Sequence, residues 1–262
     1  MTMTPENIHQ AAQDLHQAWL SRTTIPPLSK RYSDISMDDA YQIQTLFVDA
    51  MKAGKHQVIG KKVGVTSQAV MDLLGVYQPD FGYLLDNMCA QNRQAIQLDT
   101  LIQPKAEGEI AFVLKDDLMG PGITNADVLA ATRGVMPCFE IVDSRITDWK
   151  IAITDTVADN ASCGLFVLGD QLTSAEGLDL ALAGMVLEKN GQIVATGAGA
   201  AALGSPVNAV TWLANTLGQF GIPLKAGEVI LSGSLATMVP VQPGDFLKVS
   251  IAGLGSCSVC FE

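Results

Sequence analysis

Apolar residues in the first 95 positions recur mostly at helical spacing, and the ends of several helices can be located. Ser36 is a good N-cap residue with Asp39 three positions later, and glycines stand where two of the helices should stop. A loop containing Pro26 and Pro27 separates the first two helices. The pattern predicts helices over residues 5–20 and 36–54, and a short helix from 66 or 67 to 75.

From about residue 111 the pattern changes to short apolar runs, rich in β-branched and aromatic residues and bounded by Gly, Asp or Asn. Asn190-Gly191 between two of these runs is a strong hairpin signal. Two helices interrupt the region, one capped by Thr124 and one with Ser205 as N-cap and Pro206 in its first turn. The predicted strands cover residues 110–114, 135–142, 164–168, 185–189, 193–196, 229–231 and 246–251.

These elements indicate an α+β chain with a helical portion over residues 1–95 and a strand-rich portion over residues 96–262. A content of 48% hydrophobic and 16% charged residues allows a substantial core. The net charge of -11 disfavours binding to nucleic acid or to an anionic membrane. Because neither a signal peptide nor an apolar run of about 20 residues is found, we expect a cytoplasmic protein.

The histidines restrict the possible chemistry. The three in the chain, His9, His16 and His56, all lie in its first quarter. A Ser-His-Asp or Cys-His triad would need one of them as its base. General acid–base catalysis is therefore expected to come mainly from carboxylates, lysine or water.

Three glutamates form a candidate site. Glu107 and Glu109 point to the same face if their segment is a strand, and Glu140 interrupts a second apolar run. Carboxylates so close repel one another and are costly to bury without a cation or protons. An all-oxygen ligand set suits Mg²⁺ or Mn²⁺ better than Zn²⁺. The alternative is that Glu107 and Glu109 lie on a solvated strand edge.

Several other segments have both a structural and a functional interpretation. The glycine-containing segment 59–66 lacks the P-loop order, and its Lys61-Lys62 pair is either solvated or available to a substrate carboxylate. Asp80, in a turn-like segment, is either a turn cap or a catalytic group. Segment 155–164 is predicted as a polar loop, and segment 227–234 as a strand followed by a ligand-facing loop or a tight turn.

Taken together, these motifs resemble the 2-oxopent-4-enoate (2-hydroxypenta-2,4-dienoate) hydratases of aromatic meta-cleavage pathways. Those enzymes belong to the fumarylacetoacetate hydrolase-like superfamily. The resemblance extends over almost the whole chain and is carried by residues 59–66, 75–82, 107–112, 138–149, 155–164, 197–208 and 227–234.

The resemblance implies a mixed β-sandwich or β-roll core with a helical N-terminal portion. It also implies hydration of 2-hydroxypenta-2,4-dienoate to 4-hydroxy-2-oxopentanoate, a homo-oligomer, and a possible complex with 4-oxalocrotonate decarboxylase. The matching positions are Glu107, Glu109 and Glu140 as metal ligands, Lys62 and Asp80 as catalytic residues, and Ser162 and Ser234 as substrate-binding residues.

The chain departs from the superfamily in one motif and leaves two other functions open. Ser232-Gly233-Ser234-Leu235 stands where the superfamily usually has Thr-Gly-Thr-Pro, so the contact there is expected to differ in detail. No match exists to the His-Glu pair of some superfamily hydrolases, which counts against C–C hydrolysis. The alternatives are a 4-oxalocrotonate (2-oxo-3-hexenedioate) decarboxylase and a structural partner of that enzyme.

Overall fold

The computed structural model describes residues 3–262, without the side chains of residues 69, 73 and 74. Helices dominate the first quarter of this range and recur singly in the rest. The helices are α1 (Pro5–Ser21), α2 (Leu28–Arg31), α3 (Met37–Lys52), α4 (Gln68–Leu74), α5 (Asn125–Ala131), α6 (Ile153–Ala158) and α7 (Pro206–Gly218).

The strands form two sheets. They are β1 (Val58–Gly64), β2 (Asp80–Leu85), β3 (Cys89–Ala90), β4 (Ala95–Ile96), β5 (Lys105–Leu114), β6 (Thr132–Val142), β7 (Cys163–Leu168), β8 (Gly184–Lys189), β9 (Gln192–Ala198), β10 (Val229–Leu231), β11 (Val239–Pro240), β12 (Phe246–Ile251) and β13 (Gly255–Phe261). An eight-stranded sheet has the order β2-β1-β10-β5-β6-β7-β3, with β11 also pairing with β5. A five-stranded sheet has the order β4-β13-β12-β8-β9.

The eight-stranded sheet is covered on both faces. One face packs against the five-stranded sheet, and the residues buried there include Phe112, Phe139, Val167, Leu187, Val249 and Val259. The other face packs against α1, α3 and α6, and the residues buried there include Leu15, Ile43, Phe47, Ala111, Cys138, Val157 and Phe166. This is the mixed α+β sandwich with a helical N-terminal part that the sequence predicts.

Most predicted elements are confirmed at their predicted ends. Ser36 and Asp39 form a capping box at the start of α3, since each side chain accepts the other's backbone N–H. Helix α4 ends at Gly75, whose φ of +65° is left-handed. Asn190 and Gly191, with φ values of 54° and 78°, form the β8–β9 hairpin turn.

Two segments differ from the prediction. The first 95 residues are not mostly helical throughout, because β1 and β2 pair with each other and β1 joins the large sheet beside β10. Segment 155–164 is not a loop; it contains the end of α6 and a 3-10 turn over Asn160–Ser162. The polar composition of segment 155–164 suggests an exposed loop, but its polar side chains are buried and form hydrogen bonds within the protein. Whether residue 95 separates two domains stays a prediction.

Within residues 3–262, no helix is long and apolar enough to cross a membrane.

Candidate metal centre

Three glutamates of β5 and β6 meet on one face of the eight-stranded sheet. Glu107 pairs directly with Glu140 across the two strands, and Glu109 lies two residues further along β5. Since alternate residues of a strand share a face, Glu107 and Glu109 point to the same side as Ala111, towards the N-terminal helices. Their carboxylate oxygens lie within 4.8 Å of one another and of an oxygen of Glu140. The structure therefore brings the three predicted ligand residues together.

The glutamates are poorly compensated by the protein itself. Glu109 and Glu140 are fully buried. Glu109 Oε2 accepts a 2.8 Å hydrogen bond from the backbone N–H of Gly233. Glu109 Oε1 and both carboxylate oxygens of Glu140 have no hydrogen-bond partner among the described residues. Burial and repulsion from Glu140 raise the pKa of Glu107 and of Glu109, and burial also raises the pKa of Glu140 against the opposing charge of Lys62.

Lys62 extends from β1 into this acidic cluster. Its Nζ lies 3.2 Å from Glu140 Oε1 and donates a 2.9 Å hydrogen bond to the backbone carbonyl of Ala161. Burial opposes the charge of the lysine, but the carboxylates of Glu140 and Asp80 outweigh it and raise the pKa of Lys62 above its usual range. The two carboxylates therefore favour the charged form of the buried Lys62 side chain.

Asp80 is the first residue of β2 rather than part of a turn, and it pairs with Gly64 of β1. A Cβ on Gly64 would lie 2.2 Å from Asp80 Oδ1 and 3.1 Å from Lys62 Nζ, so only glycine leaves room for this approach. Asp80 Oδ1 is buried and accepts no hydrogen bond within the part of the chain that is described. Burial raises the pKa of Asp80 despite the neighbouring charge of Lys62.

The charges in this cluster do not balance. Four carboxyl groups, those of Glu107, Glu109, Glu140 and Asp80, lie near the ammonium of Lys62, and no second ammonium of the described residues comes within salt-bridge distance of them. Buried charge of one sign is unfavourable unless it is neutralised by protons or by a cation. The hard oxygen donors and their unpartnered atoms fit a divalent cation such as Mg²⁺ or Mn²⁺.

The two serines predicted to bind substrate lie next to residues of the cluster, but their hydroxyls hydrogen-bond elsewhere. Ser162 is buried, and its Oγ lies 3.1 Å from Thr156 Oγ1. Ser234 follows Gly233, and its Oγ donates a 2.5 Å hydrogen bond to the carbonyl of Ala236.

Two features of the site were missed from the sequence. One is Gly64. Its position in the glycine-containing segment that carries Lys62 was a sign that another group approaches the backbone closely there. The other is the turn over Asn160–Ser162. Its Ala161 carbonyl accepts a hydrogen bond from Lys62, and Arg145 donates a hydrogen bond to the carbonyl of Cys163, which follows the turn. An arginine so close to an apolar strand was a signal for a buried ion pair.

The fold and the acidic cluster define a mixed β-sandwich protein with a buried, carboxylate-rich site between the large sheet and the helices. Residues 66–262 match the family model described as fumarylacetoacetate (FAA) hydrolase C-terminal. The chain belongs to the fumarylacetoacetate hydrolase family.

Individual relatives are similar over most of their length. The chain is 62% identical to a 2-hydroxypent-2,4-dienoate hydratase of Pseudomonas putida, over 82% of this chain and 97% of the relative. It is 56% identical to a 2-hydroxyhexa-2,4-dienoate hydratase of Comamonas testosteroni, over 97% of each chain. A solved structure of 4-oxalocrotonate decarboxylase from Pseudomonas putida G7, complexed with magnesium and adipate, is 38% identical, with a TM-score of 0.95 over 99% of each chain.

Proposed function

We propose that this chain is a hydro-lyase that converts 2-hydroxypenta-2,4-dienoate and water to 4-hydroxy-2-oxopentanoate in the breakdown of aromatic compounds. The observation that carries the proposal is the cluster of three glutamates, two of them fully buried, with Lys62 and Asp80, in a chain 62% identical to a hydratase of this substrate. The relatives named as hydratases support the reaction class over almost the full chain.

In this proposal Glu107, Glu109 and Glu140 hold a divalent cation, Mg²⁺ or Mn²⁺. The unpartnered carboxylate oxygens and the excess of negative charge support this assignment. So does the magnesium in the related decarboxylase. A cation bound there supplies positive charge that stabilises negative charge developing on the C2 oxygen of the substrate.

Lys62 and Asp80 have different parts in the proposed reaction. Lys62 Nζ lies 3.2 Å from Glu140 Oε1 and 2.9 Å from the Ala161 carbonyl, and in this position it serves as a fixed positive charge for an anionic substrate oxygen. Asp80 Oδ1 is buried, lies beside Lys62 and accepts no hydrogen bond within the described residues, which leaves it free to give and take a proton. We therefore assign the proton transfer to Asp80.

The covalent changes follow from the substrate and product. The dienol loses the proton of its C2 hydroxyl and gains one at C5, which gives an α,β-unsaturated 2-oxo acid. Water then adds its hydroxyl to C4, and a proton goes to C3. Asp80 delivers the proton to C5. Ser162, in the turn over Asn160–Ser162, and Ser234, next to Gly233, contact the bound acid.

The setting of the enzyme is also part of the proposal. We expect a cytoplasmic homo-oligomer that acts in a meta-cleavage pathway and can associate with 4-oxalocrotonate decarboxylase. These expectations rest on the resemblance to hydratases of such pathways. The portion from residue 96 onward would be the metal-binding catalytic domain, and Lys62 and Asp80 come to its site from the portion before it.

Decarboxylation of 2-oxo-3-hexenedioate is the second candidate function. The TM-score of 0.95 to a 4-oxalocrotonate decarboxylase favours it, since both reactions need a polarised 2-oxo acid. The higher identity to the hydratases, 62% and 56% against 38%, favours hydration.

One assay separates these functions. The purified protein with Mg²⁺ is incubated either with freshly generated 2-hydroxypenta-2,4-dienoate or with 2-oxo-3-hexenedioate. Loss of dienol absorbance, with 4-hydroxy-2-oxopentanoate detected by NMR and no CO₂ released, is the expected result. Release of CO₂ from the dicarboxylate as the main activity would make the protein a decarboxylase, and no turnover of either acid would point to a structural partner.

A further inference from the structure

The turn that contacts Lys62 has an unusual backbone. Asn160, Ala161 and Ser162 have φ values of 53°, 50° and 54°, so three consecutive residues other than glycine are left-handed. Each such residue is less stable than in a right-handed conformation, and asparagine tolerates it best. A run of three persists only where the surrounding structure holds it in place.

Asn160 holds the turn against β2. Its Oδ1 accepts a 2.8 Å hydrogen bond from the backbone N–H of Tyr83, and its Nδ2 donates a 2.9 Å hydrogen bond to the carbonyl of the same residue. Asn160 is fully buried. A Cβ on Gly82 would lie 2.6 Å from the carbonyl oxygen of Asn160, so the turn packs directly on the strand. The side-chain amide thus pairs with β2 as a neighbouring strand would.

A buried ion pair supports the turn from its other side. Arg145 contacts the carboxylate and the carbonyl of Asp159, which directly precedes the turn, and donates a 2.8 Å hydrogen bond to the carbonyl of Cys163, which directly follows it. The backbone N–H of Arg145 also donates a 2.9 Å hydrogen bond to Asp159 Oδ2. The turn is therefore fixed at both ends by Arg145 and along its length by Asn160.

The carbonyl at the middle of this turn is the one that accepts the hydrogen bond from Lys62. Ala161 O lies 2.9 Å from Lys62 Nζ, and Glu140 Oε1 lies 3.2 Å from the same atom. A right-handed turn would point the carbonyl elsewhere, and the ammonium would lose one of its two anchors.

We propose that Asn160 is a positioning residue, which holds the left-handed turn so that the Ala161 carbonyl keeps the Lys62 ammonium beside Glu140. This inference rests on the proposed function, because the effect of a fixed ammonium is measured as the rate of the hydration reaction. The misplacement of a reacting group by about 1 Å can cost 100-fold in rate.

The test uses Asn160→Gly, because glycine adopts the left-handed conformation freely and only the side-chain contacts are lost. Asn215→Ala is the matched control. Asn215 also holds a loop through its amide, with hydrogen bonds to the backbone of Gly122 and Ile123, on helix α7 away from the glutamates. For both variants we would measure kcat and KM for the dienoate, the affinity for Mg²⁺, and the melting temperature.

We expect Asn160→Gly to lower kcat by about 10-fold to 100-fold. KM should rise by a smaller factor, because Ser162 lies in the same turn, and Mg²⁺ affinity should stay within about twofold of wild type. Asn215→Ala should lose a similar amount of thermal stability and keep its kcat. An unchanged kcat in Asn160→Gly, or a change confined to KM or to Mg²⁺ affinity, would overturn the positioning role.

A crystal structure of Asn160→Gly provides a readout that does not depend on the substrate. We expect the distance between Lys62 Nζ and Ala161 O to exceed hydrogen-bond reach, about 3.5 Å. An intact turn with Lys62 in its original place would overturn the proposal, whatever the substrate is. An inactive wild-type protein would count against the proposed function alone, and the positioning role would then be decided by this distance.

Discussion

Glu107 on β5 and Glu140 on β6 are direct partners across the two strands, so their side chains leave the same face of the sheet side by side. Like charges directly opposite one another destabilise a strand pair. Lys62, 3.2 Å from Glu140 Oε1, is the one ammonium within salt-bridge distance of either glutamate among the described residues, and it leaves the charge of Glu107 without a cation partner. Removing one of these charges should therefore raise the stability of the protein without bound metal and lower its affinity for a cation.

Magnesium should stabilise the wild-type protein but not a Glu109→Gln variant. At a Mg²⁺ concentration 100 times the Kd, binding adds about 2.7 kcal/mol to the free energy of unfolding, which raises Tm by about 5–10 °C for a chain of this size. In Glu109→Gln this shift should be lost, while Tm without metal should rise because a buried charge has been removed.

Thermal unfolding with EDTA or Mg²⁺ measures both effects. Glu176→Gln removes an exposed carboxylate and should keep the wild-type response. A Glu109→Gln variant that still gains stability from Mg²⁺ to the wild-type extent would remove this residue from the ligand set.

The neighbouring lysines of β1 should differ in their effects. Lys62→Met removes the ammonium beside Glu140 and should lower kcat by about 100-fold or more. Lys61 instead contacts Glu228, with Nζ 2.7 and 2.6 Å from the two carboxylate oxygens. Lys61→Met alone should cost about 3–5 kcal/mol of stability, since it leaves Glu228 buried and unpaired.

The double variant Lys61→Met/Glu228→Gln is the control for this comparison. It removes both charges of the second ion pair and should recover most of the stability while its kcat stays within about twofold of wild type. A kcat loss in the double variant as large as that in Lys62→Met would mean that both lysines serve the reaction.

Gly64→Ala should damage the site through a single methyl group. The new Cβ would lie 2.2 Å from Asp80 Oδ1 and 3.1 Å from Lys62 Nζ. Moving these groups apart should cost about 1–3 kcal/mol of stability and lower kcat about 100-fold. Gly184→Ala is the control, since no atom of the described residues lies within 4 Å of its added Cβ. Equal activity of the two variants would show that the Gly64–Asp80 approach does not matter for turnover.

The capping box of α3 gives a prediction about pH. Burial opposes the charge of Asp39, but hydrogen bonds from the Ser36 hydroxyl and backbone and from the backbone of Met3 lower the pKa of Asp39 below its usual value. A carboxylate with a lowered folded-state pKa stabilises the protein above its unfolded-state pKa, about 3.9. That contribution is lost as the pH falls through the folded-state value.

Asp39→Ala should therefore cost about 1–2 kcal/mol near pH 7, and less as the pH falls below about 4. Denaturant unfolding at several pH values measures the difference from wild type. Asp38→Ala, in the same first turn of α3, is the control, because Asp38 takes no part in the capping box. A cost of Asp39→Ala that stays constant down to the acid-unfolding range would contradict the role of its charge.

The local patterns in the sequence predict most of the helices, the hairpin at Asn190-Gly191 and the shared face of Glu107 and Glu109. These depend on short-range rules, namely capping, turn chemistry and the two-residue period of a strand. The interruption of an apolar run also marked Glu140 as a residue that needed a partner. Its direct pairing with Glu107 depends on the register of two strands that are distant in the chain, which local patterns do not determine.

Strands β1 and β2 were harder to predict for a physical reason. Lys61 and Lys62 make β1 appear solvated, yet both are buried because each has a carboxylate partner elsewhere in the chain, Glu228 and Glu140 respectively. The left-handed turn at Asn160 is likewise stabilised by contacts with β2 and with Arg145. Such groups are recognised only after the tertiary contacts are known.

Anomalous diffraction from crystals soaked in Mn²⁺ would show whether Glu107, Glu109 and Glu140 hold the catalytic cation. The Mn²⁺ concentration should be one that supports turnover of 2-hydroxypenta-2,4-dienoate in solution. We predict a single strong anomalous peak bounded by carboxylate oxygens of the three glutamates, and its loss in Glu107→Gln together with activity. An active protein whose crystals show no peak between these carboxylates would contradict the account.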